Sequence, residues 1–244
     1  MHFTQAGITY HSPRFSNFTC VRRNVERIPS RPCAQARWLM RNKFCVWDTE
    51  TTGLEDDAKI VSIGIVDQDG QILLDTLINP GVPIPEEATD IHGVTDDMVA
   101  DAPTFDQVYT QIKDVLERSI WAIYNKAYDI PRLNYECERY YLPPIAPAQH
   151  RQTEQRYDRF FSFSNYSVGQ TVCIMESFAE HYGQWHDYFQ SYTWQRLSTA
   201  TKYYRIKVSN AHNALADAIS TLEVIRHMAF DEDKPQRRQS YEME

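Results

Sequence analysis

Apolar and polar positions along the chain separate into short apolar runs and longer segments that repeat every three to four residues. Mainly apolar runs bounded by turn-forming residues predict β-strands. Five such runs occur, at 44–47, 60–66, 72–78, 120–124 and 171–174. Asp69-Gly70 separates the second run from the third and is typical of a hairpin turn, which predicts antiparallel pairing of these two strands.

Helical periodicity fills most of the intervals between the strands. Thr95 and Thr104 suit N-cap positions, the first for a short helix and the second for a helix that extends to residue 118. Further helices are predicted within 32–43 and at 127–140, 176–182, 194–205 and 213–229. A meander of three strands followed by β/α alternation predicts an α/β fold. We expect a mixed five-stranded sheet with helices on both faces.

One domain is predicted over residues 44–229, and three segments lie outside its regular pattern. Residues 1–43 are a basic arm with a short helix, since eight Lys or Arg side chains accompany a single acid there. An insertion rich in proline, aromatic and polar residues spans about 142–167, and a flexible polar tail spans 230–244. The arm is open to three interpretations: a structural or substrate-contacting element, a targeting signal, or a disordered end.

Composition narrows the class of protein. The net charge of −8, with about +7 on the arm, leaves about −15 on residues 44–244, and part of that acidity suits bound cations. Five cysteines without a Cys-x-x-Cys pair indicate reduced thiols and a cytoplasmic location, and argue against a disulfide framework or a zinc site. No apolar run approaches the roughly 20 residues of a membrane helix, so no membrane partner is expected.

Four carboxylates are placed to meet at one site. Asp48 and Glu50 end the first strand, and both point to the same side because strand side chains alternate between faces. Asp129 lies at the start of the helix after the fourth strand, and Asp217 lies in the first turns of the last helix. Carboxylates that converge from several elements suit Mg²⁺ or Mn²⁺, and two such ions can promote phosphodiester hydrolysis.

One histidine has a position that suits a general base. His212 lies in a loop five residues before Asp217, and imidazole titrates near neutral pH. Taken alone, each residue also has a simpler interpretation. Asp48 and Glu50 would be a solvated strand end, Asp129 a helix-start acid favoured by the helix dipole, and His212 a surface loop residue.

The order and spacing of these residues resemble the DEDDh 3′→5′ exonucleases, in the branch around the DNA polymerase III epsilon subunit. Asp-Thr-Glu-Thr-Thr-Gly-Leu at 48–54 resembles the first motif of that family. Tyr-Asn-Lys-Ala-Tyr-Asp at 124–129 resembles the second motif, and His-Asn-Ala-Leu-Ala-Asp-Ala at 212–218 resembles the third. Ile-His-Gly-Val-Thr at 91–95 resembles the family's segment after the third strand. The resemblance covers about residues 44–229 and implies a ribonuclease H-like fold for an exonuclease domain.

The resemblance also implies a role for each residue of the acidic site. Asp48, Glu50 and Asp217 would bind two divalent metal ions, Mg²⁺ or Mn²⁺. Asp129 would bind the more weakly held ion, directly or through water, and His212 would be the general base.

A second group of residues would contact the substrate. By the resemblance, Thr51 and Leu54 would hold the terminal nucleotide, Asn125 would support that pocket, and His92 would lie near the nucleotide that enters. Tyr124 departs from the family pattern, which usually has His at the start of the second motif.

The expected activity is metal-dependent hydrolysis from the 3′ end of single-stranded DNA, with release of nucleoside 5′-monophosphates. Trimming of RNA ends is an alternative, although Thr51-Thr52 resembles the DNA-proofreading branch more than the oligoribonuclease branch. A non-catalytic nucleic-acid-binding module is a third interpretation. The expected partners are single-stranded DNA or RNA 3′ ends. No clamp-binding peptide is recognised, since residues 234–241 lack apolar anchors, and the sequence does not indicate an oligomeric state.

Two further segments are rich in aromatic residues. The first is interpreted as packing between the two late helices, with base stacking as the alternative; it contains Trp185, Tyr188, Phe189, Tyr192 and Trp194. The second interleaves arginines with aromatic residues and is the stronger candidate for contact with a single strand; its arginines are Arg151, Arg156 and Arg159.

Overall fold

A mixed five-stranded sheet forms the centre of the molecule. The computed structural model describes residues 27–147, 170–208 and 212–233. The strands lie in the order β3-β2-β1-β4-β5, and the predicted α/β sheet is confirmed. The first three strands pair antiparallel, whereas β4 and β5 run parallel to β1. Their bounds are Phe44–Thr51 (β1), Ile60–Asp67 (β2), Ile72–Leu77 (β3), Ile120–Ile123 (β4) and Thr171–Cys173 (β5).

Helices cover both faces of this sheet, as the alternation of strands and helices predicts. The described helices are Pro32–Leu39 (α1), Glu86–His92 (α2), Asp96–Val99 (α3), Phe105–Leu116 (α4), Lys126–Arg139 (α5), Ile174–Tyr182 (α6), Leu197–Tyr204 (α7) and Ala214–Phe230 (α8). Alternate residues of β1 supply the two cores. Phe44 and Val46 pack with α1, α6, α7 and α8, while Cys45 and Trp47 pack with α4 and α5.

The predicted caps are confirmed. The Thr95 hydroxyl accepts a hydrogen bond from the backbone N–H of Met98 and starts α3. Thr104 and Gln107 form a capping box at the start of α4. Helix α2 is absent from the predicted elements because its seven residues follow a proline-rich stretch and carry little apolar periodicity. It starts directly after Pro85, where a proline ring is tolerated.

The aromatic segment between α6 and α7 packs against the late helices only in part. The chain forms a two-stranded antiparallel hairpin there, with strands Trp185–His186 (β6) and Ser191–Tyr192 (β7). Trp185 and Tyr192 are half-buried and β7 contacts α6, whereas Tyr188, Phe189 and Trp194 are exposed. Gly183 adopts a φ of 86° and ends α6 directly before the hairpin, at the end predicted for that helix.

The short helix predicted in the basic arm belongs to the core of the domain. Trp38 and Leu39 of α1 are buried against α8 and α6. Arg37 donates to the backbone carbonyl of Asp231 at 2.7 Å, which ties α1 to the chain after α8. The remaining arm (1–26), most of the predicted insertion with its three arginines (148–169), and the tail from 234 lie outside the described residues.

The state of the cysteines and the character of the helices are both predicted from composition. The cysteines at 33, 45, 137 and 173 are buried free thiols, as predicted from their spacing. None of the helices within the described ranges combines the length and the apolar character that crossing a membrane requires.

Candidate active site

The topology directs three functional segments to one edge of the sheet. Strands β1, β4 and β5 run parallel, so their carboxyl ends meet at the same edge. Asp48 and Glu50 lie near the end of β1, and α5, which carries Asp129 in its first turn, starts directly after β4. The first turn of α8, with Asp217, approaches the same edge from the other side of β1.

A glycine in β2 permits this approach of α8. Gly64 pairs with Asp48 in the antiparallel ladder. A Cβ atom at Gly64 would lie 2.3 Å from the backbone nitrogen of Leu215 and 2.4 Å from its Cα. Only glycine therefore lets the backbone of α8 contact the sheet directly beside Asp48. Gly64 is not among the predicted functional residues, although an isolated glycine inside an apolar strand is a signal for close backbone approach.

Three carboxylates converge at this edge. Carboxylate oxygens of Asp48, Glu50 and Asp217 all lie within 4.8 Å of one another. Burial, followed by the charges of neighbouring carboxylates, raises the pKa of Glu50 to about 8 and the pKa of Asp48 well above its ordinary value. Burial also raises the pKa of Asp217. Clustered, desolvated oxygens repel one another unless a cation lies between them, so this donor set fits a hard divalent ion.

The fourth predicted carboxylate has different neighbours. Asp129 is only 3% exposed, and its Oδ1 accepts hydrogen bonds from the backbone N–H of Thr49 at 3.2 Å and from its hydroxyl at 2.7 Å. Burial raises the pKa of Asp129 to about 7, and these bonds oppose the shift. Its charge in turn raises the pKa values of Asp48 and Glu50, so it is near the group without being part of it.

His212 lies next to Asp217 at the start of α8. Its φ of 64° places it in the left-handed region, and its side chain is exposed. The backbone N–H of His212 donates to the Asp217 carboxylate, and both this bond and the nearby imidazole lower the pKa that burial raises. The structure therefore brings the predicted base to the acidic group, while its role stays a prediction.

A cavity of about 460 Å³ adjoins the acidic group, and Glu50 lines its wall. Three of the four predicted substrate-binding residues, Thr51, Leu54 and His92, also line it. Asn125 instead caps α5 with its backbone carbonyl, which accepts from the N–H groups of Tyr128 and Asp129, and is not among the residues lining this cavity. The remaining wall residues are Thr49, Thr52, Gly53, Glu55, Pro85, Glu87, Ala88, Ile91 and Tyr128.

His92 connects α2 to the first motif. Its Nδ1 accepts a hydrogen bond from the backbone N–H of Val94 at 3.0 Å, so the ring proton resides on Nε2. Nε2 then donates to the carbonyl of Thr51 at 3.2 Å. Burial lowers the pKa of His92, which favours this neutral ring. The imidazole thus fixes the loop that begins the cavity wall.

Two residues of α5 hold the same loop and were missed from the sequence. Tyr128 donates to the carbonyl of Gly53 at 2.6 Å and hydrogen-bonds the Thr51 hydroxyl. The guanidinium of Arg132 lies 4.9 Å from the centroid of the Tyr128 ring and donates to the carbonyl of Leu54 at 2.8 Å. The available signal was the tyrosine inside the second motif, followed four residues later by an arginine on the same helix face.

Tyr124, which departs from the family pattern, is a core residue. It is 6% exposed and packs in the core beneath α6 and α8. Its hydroxyl donates to the carbonyl of Gln195 at 2.9 Å, in the segment between the hairpin and α7. This residue therefore connects the second motif to the aromatic hairpin.

Comparisons with known proteins agree with the geometry. The family model described as Exonuclease (RNase T) matches residues 45–225. The uncharacterized exonuclease CP81 of Escherichia phage 186 is 37% identical over 194 residues, which cover 79% of this chain and 91% of that protein. The DNA polymerase III subunit epsilon of Pasteurella multocida is 32% identical over 104 residues, which cover 38% of this chain and 41% of that protein.

Solved structures share the fold at low sequence identity. E. coli Exonuclease I in complex with a dT13 oligonucleotide aligns with a TM-score of 0.58 at 16% identity, covering 78% of this chain and 41% of that chain. The nuclease domain of 3′hExo, a DEDDh family member bound to rAMP, aligns with a TM-score of 0.53 at 16% identity, covering 77% and 92%. With its motifs, its sheet topology and the family match over most of its length, the chain belongs to the RNase T exonuclease family, and the predicted exonuclease domain is confirmed.

Proposed function

We propose that this exonuclease hydrolyses phosphodiester bonds one at a time from the 3′ end of single-stranded DNA and releases nucleoside 5′-monophosphates. The observation that carries the proposal is that one residue belongs to both the carboxylate group and the cavity wall. Glu50 belongs to the three-carboxylate group and also lines the 460 Å³ cavity. A terminal nucleotide in that cavity would therefore present its phosphate to the acidic group.

The carboxylates would hold two divalent ions, Mg²⁺ or Mn²⁺. Bound there, such ions would neutralise charge on the phosphate and lower the pKa of an attacking water. Asp48, Glu50 and Asp217 are the direct ligands in this proposal. Asp129 would act from its bonded position beside Thr49, through its charge or through water.

His212 would accept the proton of the attacking water. Its exposure allows the ring to reach solvent and substrate, and the bond from its backbone N–H to Asp217 keeps it beside the acidic group. A general base of this kind contributes typically about 10²- to 10⁴-fold to a rate.

The cavity walls suit a terminal nucleoside. Leu54 and Ile91 expose 80% and 59% of their surface and offer apolar contacts for a base. The loop that carries Leu54 is fixed by His92, Tyr128 and Arg132, so this wall is formed before the substrate binds.

The test follows the release of mononucleotides from matched DNA and RNA oligomers of the same sequence, labelled at either end. We expect Mg²⁺- or Mn²⁺-dependent release that starts at the 3′ end and proceeds faster on DNA. Label released first from the 5′ end would contradict the polarity, and faster trimming of RNA would reassign the substrate.

His212→Ala tests the base, with His227→Ala as the matched control. His227 is an exposed histidine of α8 whose Nδ1 lies 2.9 Å from the carbonyl of Glu223. We expect His212→Ala to lower kcat by about 10²- to 10⁴-fold with little change in Mn²⁺ affinity, and His227→Ala to leave kcat unchanged. Equal kcat values for wild type and His212→Ala would exclude the proposed base.

A further inference from the structure

The aromatic hairpin places apolar rings in solvent where the fold does not need them. Tyr188, Phe189 and Trp194 are 84%, 68% and 66% exposed. The hairpin itself is held by other contacts: Trp185 and Tyr192 form an edge-to-face pair with ring centroids 5.1 Å apart. Phe189 also packs on His186 and on Tyr188, with ring centroids 4.6 and 5.0 Å apart. Because Tyr188, Phe189 and Trp194 still remain largely in solvent, burial does not explain their presence.

The local charge of the segment that carries these rings is opposite in sign to the net charge of the chain. The chain carries −8 overall, whereas residues 184–208 contain four basic side chains and a single acid, Asp187. The basic residues follow the exposed rings into and past α7, and all four are solvent-exposed; they are Arg196, Lys202, Arg205 and Lys207. Exposed aromatic faces beside a local excess of positive charge are complementary to a flexible, unpaired polyanion that carries planar bases.

The hairpin is also connected to the acidic edge, which is the edge of the sheet that holds Asp48, Glu50 and Asp217. The Tyr124 hydroxyl bonds the carbonyl of Gln195, one residue after Trp194. The Tyr124 backbone carbonyl accepts from the N–H of Met175 at the start of α6, and the next residue, Asn125, begins the helix that carries Asp129. The exit of the hairpin is thus fixed to the segment that enters the candidate active site.

We propose that the hairpin and α7 form a second binding surface, which holds the single strand upstream of the nucleotide being removed. Bases would stack on Tyr188, Phe189 and Trp194, and Arg196 and Lys202 would contact the phosphates. The identity of this partner rests on the proposed function. Such a surface would tighten binding of long strands without changing the chemistry at the end of a short one.

The experiment compares a long strand with a short one. Binding of a fluorescent single-stranded DNA of about 16 nucleotides is measured by anisotropy with the full chain carrying Asp48→Asn, so that the strand stays intact. The test variant adds Tyr188→Ser, Phe189→Ser and Trp194→Ser. The matched control adds Tyr141→Ser and Phe230→Ser, which remove two aromatic side chains that are 98% and 91% exposed elsewhere on the surface.

We expect the hairpin substitutions to weaken binding of the long strand at least about tenfold, and the control substitutions to change it less than about twofold. In the otherwise wild-type enzyme, kcat and KM for a trinucleotide should be unchanged by the hairpin substitutions. Arg196→Ala should lower the slope of log Kd against log salt by about one. Quenching of Trp194 fluorescence by the strand would report stacking, and Trp194→Phe should retain most of the affinity.

Three results would overturn the inference. Unchanged affinity for the long strand would exclude the surface. Loss of trinucleotide turnover together with long-strand affinity would mean a structural role for the hairpin. Unchanged DNA affinity with loss of a copurifying protein would assign the rings to a protein partner. If the parent enzyme releases no nucleotide but binds the long strand through the hairpin, the proposed function fails while this surface stands.

Discussion

The acidic edge and the aromatic hairpin differ in how far their side chains are exposed to solvent. Asp129 is 3% exposed and lies among carboxylates whose pKa values are raised by burial, whereas Tyr188 of the hairpin is 84% exposed. Burying carboxylates at the edge costs desolvation free energy. Leaving aromatic rings in water at the hairpin gives up the free energy that burial of apolar surface would provide. Each region therefore holds side chains where folding alone would not place them.

The two regions differ in what keeps them in place. The edge is fixed by a sheet, by the backbone contact of Gly64 with Leu215, and by bonds from Thr49. The hairpin has a two-residue ladder and the Trp185–Tyr192 ring pair, and the hydroxyl of Tyr124 bonds the segment after it. Substitutions at the edge should therefore change chemistry and stability together, and substitutions in the hairpin should change affinity alone.

Asp48→Asn should give the largest effect and sharpen this contrast. Because Asp48 lies in the carboxylate group, we expect nucleotide release to fall at least about 10³-fold. The same change removes a carboxyl whose charged form is disfavoured by burial and by the charges of neighbouring carboxylates, which raise its pKa. The metal-free variant should then unfold at a higher temperature than wild type at about pH 8.5. Calorimetry beside the rate assay measures both, and a lower Tm would contradict the electrostatic account.

Gly64→Ala should rank second. The added Cβ would meet the backbone of Leu215 at 2.3 Å, so α8 must shift and carry Asp217 with it. We expect a loss of stability of about 1–3 kcal/mol and at least about a tenfold weaker Mn²⁺ affinity, measured by urea unfolding and titration calorimetry.

Ile112→Ala is the control for Gly64→Ala. Ile112 is fully buried in the core on the α4 face, so its truncation should destabilise the protein comparably by leaving a cavity. Because that core does not position α8, Mn²⁺ affinity should stay at the wild-type value. Equal loss of affinity in both variants would show that global stability, and not the position of α8, sets metal binding.

The pH dependence of stability should rank third. The folded protein keeps a proton on Glu50 up to a pKa of about 8, whereas an unfolded chain releases it near 4.5. Asp129 behaves in the same way, with a pKa of about 7. Since the folded state binds more protons between these values, the stability of the metal-free protein is greatest at the acid end of this window. Stability falls as pH rises from about 5 to about 8.

We expect the metal-free Tm to drop by roughly 5–10 °C over this interval in thermal unfolding. About 10 mM Mn²⁺ should reverse the drop, raising Tm more at high pH than at low pH, because cations bind the deprotonated carboxylates. A metal-free Tm that rises from pH 5 to pH 8 would contradict this account, because deprotonation of the carboxylates at the edge would then not destabilise the folded state.

Tyr124→Phe should give the smallest effect and tests the link between the regions. It removes only the hydroxyl that bonds the carbonyl of Gln195, and should reduce stability by about 0.5–1.5 kcal/mol. Release from a trinucleotide should stay at the wild-type rate, while binding of a long strand weakens a few-fold as the hairpin loosens. A large loss of trinucleotide turnover would place this hydroxyl in the chemistry instead.

Sequence patterns alone predicted the sheet, most helices and the acidic group. Short-range rules gave the parts of that group: alternation in β1 puts Asp48 and Glu50 on one side, and a five-residue spacing places His212 near Asp217. Sequence patterns did not predict the hairpin at residues 185–192, because its two strands have only two residues each and no regular alternation.

Only the tertiary structure decided how these local elements meet. The hydrogen bonds from Thr49 to Asp129, the contact of Gly64 with α8 and the support of Leu54 by Arg132 join residues that are 78 or more positions apart. Local patterns carry no information on such pairs, because each contact depends on the packing of complete strands and helices. The sequence determined which groups could react, and packing decided which of them share one edge.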